Sequence, residues 1–156
     1  MAVKKIPDGH NRVSPYLIVN GADRALRFYK DAFGAAEIFR HTMPTGQIGH
    51  AELRIGDTVI MLADEIPAHN AHGPAKFGGS PVSLHLYCED VDEVAAKATR
   101  AGAKVKQPVA DQFYGDRLGT LEDPFGHTWH ISTHIEDVPP DELERRAKKA
   151  MAEQKR

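Results

Sequence analysis

YGDRLGTLEDPFGHTWH, residues Tyr114–His130, is the stretch that decides the fold. Leu118–Leu121 reads as the end of one strand and His127–Thr133 as a second, with Glu122-Asp123-Pro124-Phe125-Gly126 turning between them. Pro124 presets φ for a turn and Gly126 supplies the positive-φ position, so Asp-Pro-Phe-Gly marks a hairpin for a stereochemical reason. The hairpin becomes informative because the half-chain around it has a weaker copy upstream. Tyr16–Leu62 aligns with His85–Ile131 at an offset close to seventy residues. Each half reads strand, helical run and Gly-Ala, then extended segments, a Gly-centred turn and a closing strand. The helical runs are Ala22–Phe33 and Val91–Ala101, and Gly34 and Gly102 follow them where a helix stops through a left-handed residue. That period is too long for a solenoid repeat and suits a duplicated supersecondary module.

The two βαβββ halves, ALRFYKDAFGA in the first helix and LEDPFGHTWHI in the last hairpin resemble the vicinal oxygen chelate superfamily. That group includes glyoxalase I, bleomycin-resistance proteins, fosfomycin-resistance enzymes and extradiol dioxygenases. The chain is most similar to its glyoxalase/bleomycin-resistance-like branch, over roughly Arg12 to Ile135. The expected fold is α+β: two tandem βαβββ modules forming a half-open, curved mixed sheet with helices on its outer face. Module one spans 13–64 and module two 82–135 of a single domain over 13–135, joined by a linker at 65–81. A polar arm (1–12) precedes the domain and a helix (139–156), introduced by Pro139-Pro140, follows it.

Composition bounds the function. A chain of 156 residues suits one compact domain. A formal net charge of −2 offers no basic footprint for nucleic acid. Cys88 is the sole cysteine and sits in an apolar strand, which reads as core. No run approaches the ~20 apolar residues of a membrane span and MAVKKIPDGH has no signal-peptide character, so the expectation is a cytoplasmic protein without membrane or nucleic-acid partners. Nine histidines are many for this length and invite thoughts of metals or proton transfer.

Strand alternation selects the candidate site. In Ile48–Ile55, His50, Glu52 and Arg54 share one face while Ala51, Leu53 and Ile55 share the other. The first strand turns Val13, Pro15, Leu17 and Val19 inward. Val82, Leu84, Leu86 and Cys88 do the same for the strand that opens module two. The opposite faces place Ser14, Tyr16, His50, Glu52, Arg54, Ser83, His85, Tyr87, His130 and Ser132 in a concavity. Trp129 alternates out of phase with His130 and reads as helix-side core. Arg54 and Arg117 can clamp a carboxylate or oxyanion, or pair with Glu52 and Asp116. Tyr114 stands near the mouth.

The resemblance implies a metal site with ligands from the first and last strand of each module. By position these fall on Ser14, Met61, Ser83 and His130, of which His130 alone is a good ligand for Zn, Ni, Mn or Fe. An alternative set of His50, Glu52, His85 and His130 would have to converge on one ion. The expectation is therefore a binding protein without the family metal. It holds a small organic molecule between modules with Tyr16, His50, Glu52, His85, Tyr114, Arg117 and His130, and acts as a homodimer. The alternative is a metal-dependent lyase or dioxygenase of the glyoxalase type with a rebuilt site.

Overall fold

The computed structural model describes residues 2–155; Met1 of the expected arm and Arg156 of the expected terminal helix lie outside it. Strand β1 (Tyr16–Val19) leads into helix α1 (Ala22–Phe33), then β2 (Ala36–Thr42), β3 (Ile48–Ile55) and β4 (Thr58–Asp64). Short 3-10 turns at Pro67–His69 and Pro74–Phe77 occupy the linker. Strand β5 (Ser83–Tyr87), helix α2 (Val91–Arg100), and strands β6 (Lys104–Asp111), β7 (Asp116–Glu122) and β8 (Thr128–His134) repeat the order. Helix α3 (Pro140–Gln154) closes the described chain.

The curved mixed sheet comes as two four-stranded halves, ordered β1-β4-β3-β2 and β5-β8-β7-β6. In each, the first strand runs parallel to the last and the other pairs are antiparallel. Helix α1 packs on the first sheet, α2 on the second, and the two helices pack on one another. One apolar core therefore spans both modules, from Leu17 and Val19 through Tyr29 to Trp129 and Ile131.

Local chemistry explains the helix ends. The residue before α1 is Gly21, which has no side chain to cap the first turn. Asp64, at the end of β4, supplies that function: its Oδ1 accepts the amides of Gly21 and Ala22 at 3.0 and 2.8 Å. Its Oδ2 accepts Ile48 N–H at 2.8 Å, so one carboxylate ties a helix start to two strands. Gly34, at φ 67°, ends α1 with its amide on Lys30 O. Helix α2 caps itself, Asp90 accepting Glu93 N–H at 3.0 Å.

The organising hairpin is held by Asp123, only 3 % exposed. Its Oδ1 accepts the amides of Phe125 and His127, both at 2.9 Å. Its Oδ2 accepts Tyr29 Oη at 2.6 Å and Trp129 Nε1 at 2.9 Å. Tyr29 belongs to module one, so this buried acid fastens the halves together. His127 adds a second tie, its Nε2–H donating to Ile18 O at 3.1 Å. Phe33 lies tilted against Trp129 with ring centroids 4.6 Å apart, which places the buried Trp129 in the helix-side core.

Three sequence expectations change. Val82 lies ahead of β5 and is 66 % exposed, because pairing with β8 begins only at Ser83. Val13, expected inward, lies ahead of β1 and is 84 % exposed, because pairing with β4 begins only at Tyr16. Arg117 pairs not with Asp116 but with Asp92 of α2, at 2.8 and 2.9 Å, and with Asp111 of β6, at 2.9 Å.

Candidate functional site

The sheet face opposite the helices carries two equivalent rows of side chains. In the first sheet, register aligns Tyr16, Met61, Glu52 and Phe39 across β1, β4, β3 and β2. In the second it aligns His85, His130, Thr120 and Gln107 across β5, β8, β7 and β6. The duplication thus extends to the residues that could meet a ligand.

The first row anchors a chain of hydrogen bonds. Tyr16 Oη lies 2.8 Å from His50 Nδ1, and His50 Nε2 lies 3.1 Å from Glu52 Oε1. Glu52 Oε2 takes His10 Nε2 at 2.9 Å, so the N-terminal arm ends on this carboxylate. Arg54 holds the arm a second time, donating to Gly9 O at 3.2 Å. The His50 and His10 hydrogen bonds keep the Glu52 carboxyl below its ordinary range, against the opposing effect of burial. Burial and the Glu52 charge both push the Tyr16 phenol up, so it stays a proton donor at neutral pH.

The second row is joined differently. His130 Nδ1 meets Thr120 Oγ1 at 2.9 Å, and His85 Nε2 meets Ser132 Oγ at 2.7 Å. The His85 ring stacks on Tyr87 at 4.7 Å and lies 6.1 Å from that of His130. Tyr87 donates to the buried Asp116 at 2.9 Å, and Asp116 also receives His134 Nδ1 at 2.7 Å. Hydrogen bonds to Asp137 and Asp116 raise the His134 pKa.

Between β1 and β5 lies a cleft of about 1100 Å³. Phe33, Leu84, Leu86 and Trp129 give it an apolar floor, while the more exposed Tyr16, His85 and Tyr87 form its lips. Of the seven residues expected at the site, Tyr16 and His85 border this cleft. His50 and Glu52 reach it through Tyr16, and His130 lies behind His85. Tyr114 packs edge-on against Phe113 in the loop before β7. Arg117, tied to α2, is not brought to this face. Sequence reading did not single out His10 or the cleft-floor Phe33, offered Asp116 only as an arginine partner, and read Asp123 only as a turn residue. Asp123 had a signal in its turn, but arm residues such as His10 have no periodicity to betray them.

The metal positions implied by the fold do not fit an ion. Ser14 Oγ is buried without a hydrogen-bond partner, Met61 presents a thioether, and Ser83 is a hydroxyl at the start of β5. The alternative set is split between the sheets, with His50 and Glu52 in one and His85 and His130 in the other. Among the described residues, no three His, Cys, Asp or Glu side chains converge to hold a metal.

The fold has known counterparts. The family model of the glyoxalase/bleomycin resistance protein/dioxygenase superfamily matches residues 10–131, and the chain belongs to that superfamily. An uncharacterised protein of Mycobacterium tuberculosis strain H37Rv is 40 % identical over 135 residues, covering 85 % of this chain and 79 % of its own. The X-ray structure of an Arabidopsis thaliana gene product is similar at 29 % identity and a TM-score of 0.65, covering 78 % of this chain and 98 % of that one. TioX from a Micromonospora species is similar at 27 % identity and a TM-score of 0.62, covering 80 % of this chain and 99 % of that one. No helix among the described residues is long and apolar enough to cross a membrane.

Proposed function

We propose that the chain binds a small organic molecule in the cleft between its modules, without the divalent metal of its superfamily. The observation that carries this reading is the composition of the cleft: an apolar floor ending on Trp129, with Tyr16, His85 and Tyr87 at its lips and the less exposed Ser14 and His127 among its lining. A ligand with a flat apolar body and one or two polar atoms matches such a lining. The serines and methionine at the family's ligand positions support the metal-free part, because none is a good ligand for Zn, Ni, Mn or Fe.

We also propose a homodimer. Strand β2 is exposed along its whole length, including Ile38 and Phe39, and Val105 and Tyr87 add exposed apolar surface on the second sheet.

Trp129 is the only tryptophan, so its fluorescence reports on the cleft directly. A panel of small neutral aromatic compounds should include members that quench it saturably and raise the melting temperature. A panel that leaves both unchanged refutes the binding reading. Elemental analysis of the purified protein should give well below one equivalent of divalent metal per chain; stoichiometric Zn, Ni, Mn or Fe would favour a metal-dependent lyase or dioxygenase instead.

A further inference from the structure

We propose that His127 selects the ligand of the cleft: its free ring nitrogen accepts the N–H or O–H of a neutral aromatic compound whose body lies on Trp129. This rests on the cleft as the ligand site and deepens it to a ligand class.

His127 is only 8 % exposed, yet it borders the cleft. Its Nε2 lies 3.1 Å from Ile18 O. A carbonyl oxygen only accepts, so Nε2 carries the hydrogen, and in the neutral ring Nδ1 is left with a lone pair. Among the described residues no donor is bonded to that nitrogen. Ser14 Oγ is the one unpartnered side-chain atom sealed from solvent among them, so Nδ1 keeps an opening, and the space that His127 borders is the cleft. The backbone is pinned as well, His127 N–H donating to Asp123 Oδ1 at 2.9 Å. The acceptor is therefore held in place before any ligand arrives.

The lining names the class. No lysine or arginine borders the cleft among the described residues, so nothing there compensates a ligand carboxylate or phosphate. The one carboxylate in the lining, Asp57, stands exposed on the turn between β3 and β4 and accepts Thr58 Oγ1. A neutral molecule suits this setting. His127 and Trp129 are two positions apart and both line the cleft, so one bicyclic ligand can rest on the indole and reach the imidazole. Tyr16 and Tyr87 spend their hydroxyls on His50 and Asp116. His85 stands at the exposed lip, where water satisfies it. At the buried Nδ1 a ligand without a donor strips away water and puts nothing in its place, so this is where a missing N–H or O–H costs affinity.

The test uses the full chain with indole and benzofuran, bicyclic compounds of nearly the same shape of which only indole has an N–H. Shifts of the Leu84 and Leu86 methyl resonances locate and titrate binding. The 15N resonance of His127 Nδ1 reports whether that nitrogen accepts a hydrogen bond. The expected result is that indole binds about tenfold tighter than benzofuran, and that indole alone moves the Nδ1 resonance upfield. His127→Phe should bring the two affinities within about twofold; where that variant fails to fold, the Nδ1 resonance of the parent decides. Equal affinities, or a preference for indole with Nδ1 unmoved, overturn the role of His127 and leave the cleft reading standing. If neither compound moves the Leu84 and Leu86 methyls, both readings fall.

Discussion

At the scale of single residues, Asp123 carries more of the structure than any other side chain described above. It is buried and accepts two amides, a phenol and an indole N–H. Burial, together with the Asp123 charge and hydrogen bond, pushes the Tyr29 phenol well above its ordinary value, so Tyr29 remains a donor at neutral pH. Tyr29→Phe removes one hydrogen bond to a charged acceptor and should cost about 1.5–3 kcal/mol in urea unfolding. Asp123→Ala strands four donors and should cost more than ~3 kcal/mol, with the loss seen at once by near-UV signals from Trp129. Equal and small effects of the two substitutions would refute this role. The sequence showed Asp123 as a turn residue, which it is. What could not be read was its partner Tyr29, ninety-four positions away, because such a pairing depends on how the helices dock.

Among elements, helices and strands were legible wherever periodicity was clean. The bounds of α1 and β3 agree with the alternation and stripe patterns of Ala22–Phe33 and Ile48–Ile55. The errors fell where a local cue misled: Val13 and Val82 belonged by alternation to strands whose pairing begins only after them. The N-terminal arm carried no pattern, yet it ends on the Glu52 carboxylate. Its hydrogen bond to Glu52 raises the His10 pKa, and bonds from His50 and His10 lower that of Glu52. The His10 contribution is complete below pH ~6.5 and is lost as pH rises through the raised folded-state value. The Glu52 contribution is present above pH ~4.5 and is lost as pH falls through its lowered value. The arm should thus be best ordered between those limits. Backbone relaxation of residues 4–12 should show it loosening on the alkaline side first, and His10→Ala should abolish that dependence. A second element-level test concerns Gly115, at φ 99°, whose added Cβ would strike the carbonyl of Glu136. Ile135 and Glu136 both donate to Gly115 O, and Arg146 of α3 pairs with Glu136. Gly115→Ala should therefore cost ~2 kcal/mol or more and release the segment leading into α3, detectable as faster proteolysis after Arg145 or Arg146.

For the whole molecule, the duplicated architecture was readable from one chain because each module repeats its glycines and its alternation. Which faces meet which ligand was less so: the expected concavity residues fall into two rows on separate sheets, and the cleft between β1 and β5 is bordered by only some of them. Strand alternation gives the facing of a side chain but not the distance between sheets. The proposed dimer belongs to this scale. Sedimentation should report twice the chain mass, and Phe39→Asp on the exposed β2 should shift it toward the monomer without lowering the melting temperature of the monomeric form. A parent protein that sediments as a monomer at all concentrations removes the dimer from the account.

The bond between Tyr29 and Asp123 runs one way only. The position matching Tyr29 in α2 is the buried Ala98, and module one turns from β3 to β4 through Gly56-Asp57 alone, with no room for a counterpart of Asp123. The twin units inherited from a gene doubling have thus become lock and key. A chimaera made of either unit twice over should fail to assemble, however faithfully each copy keeps its own strands.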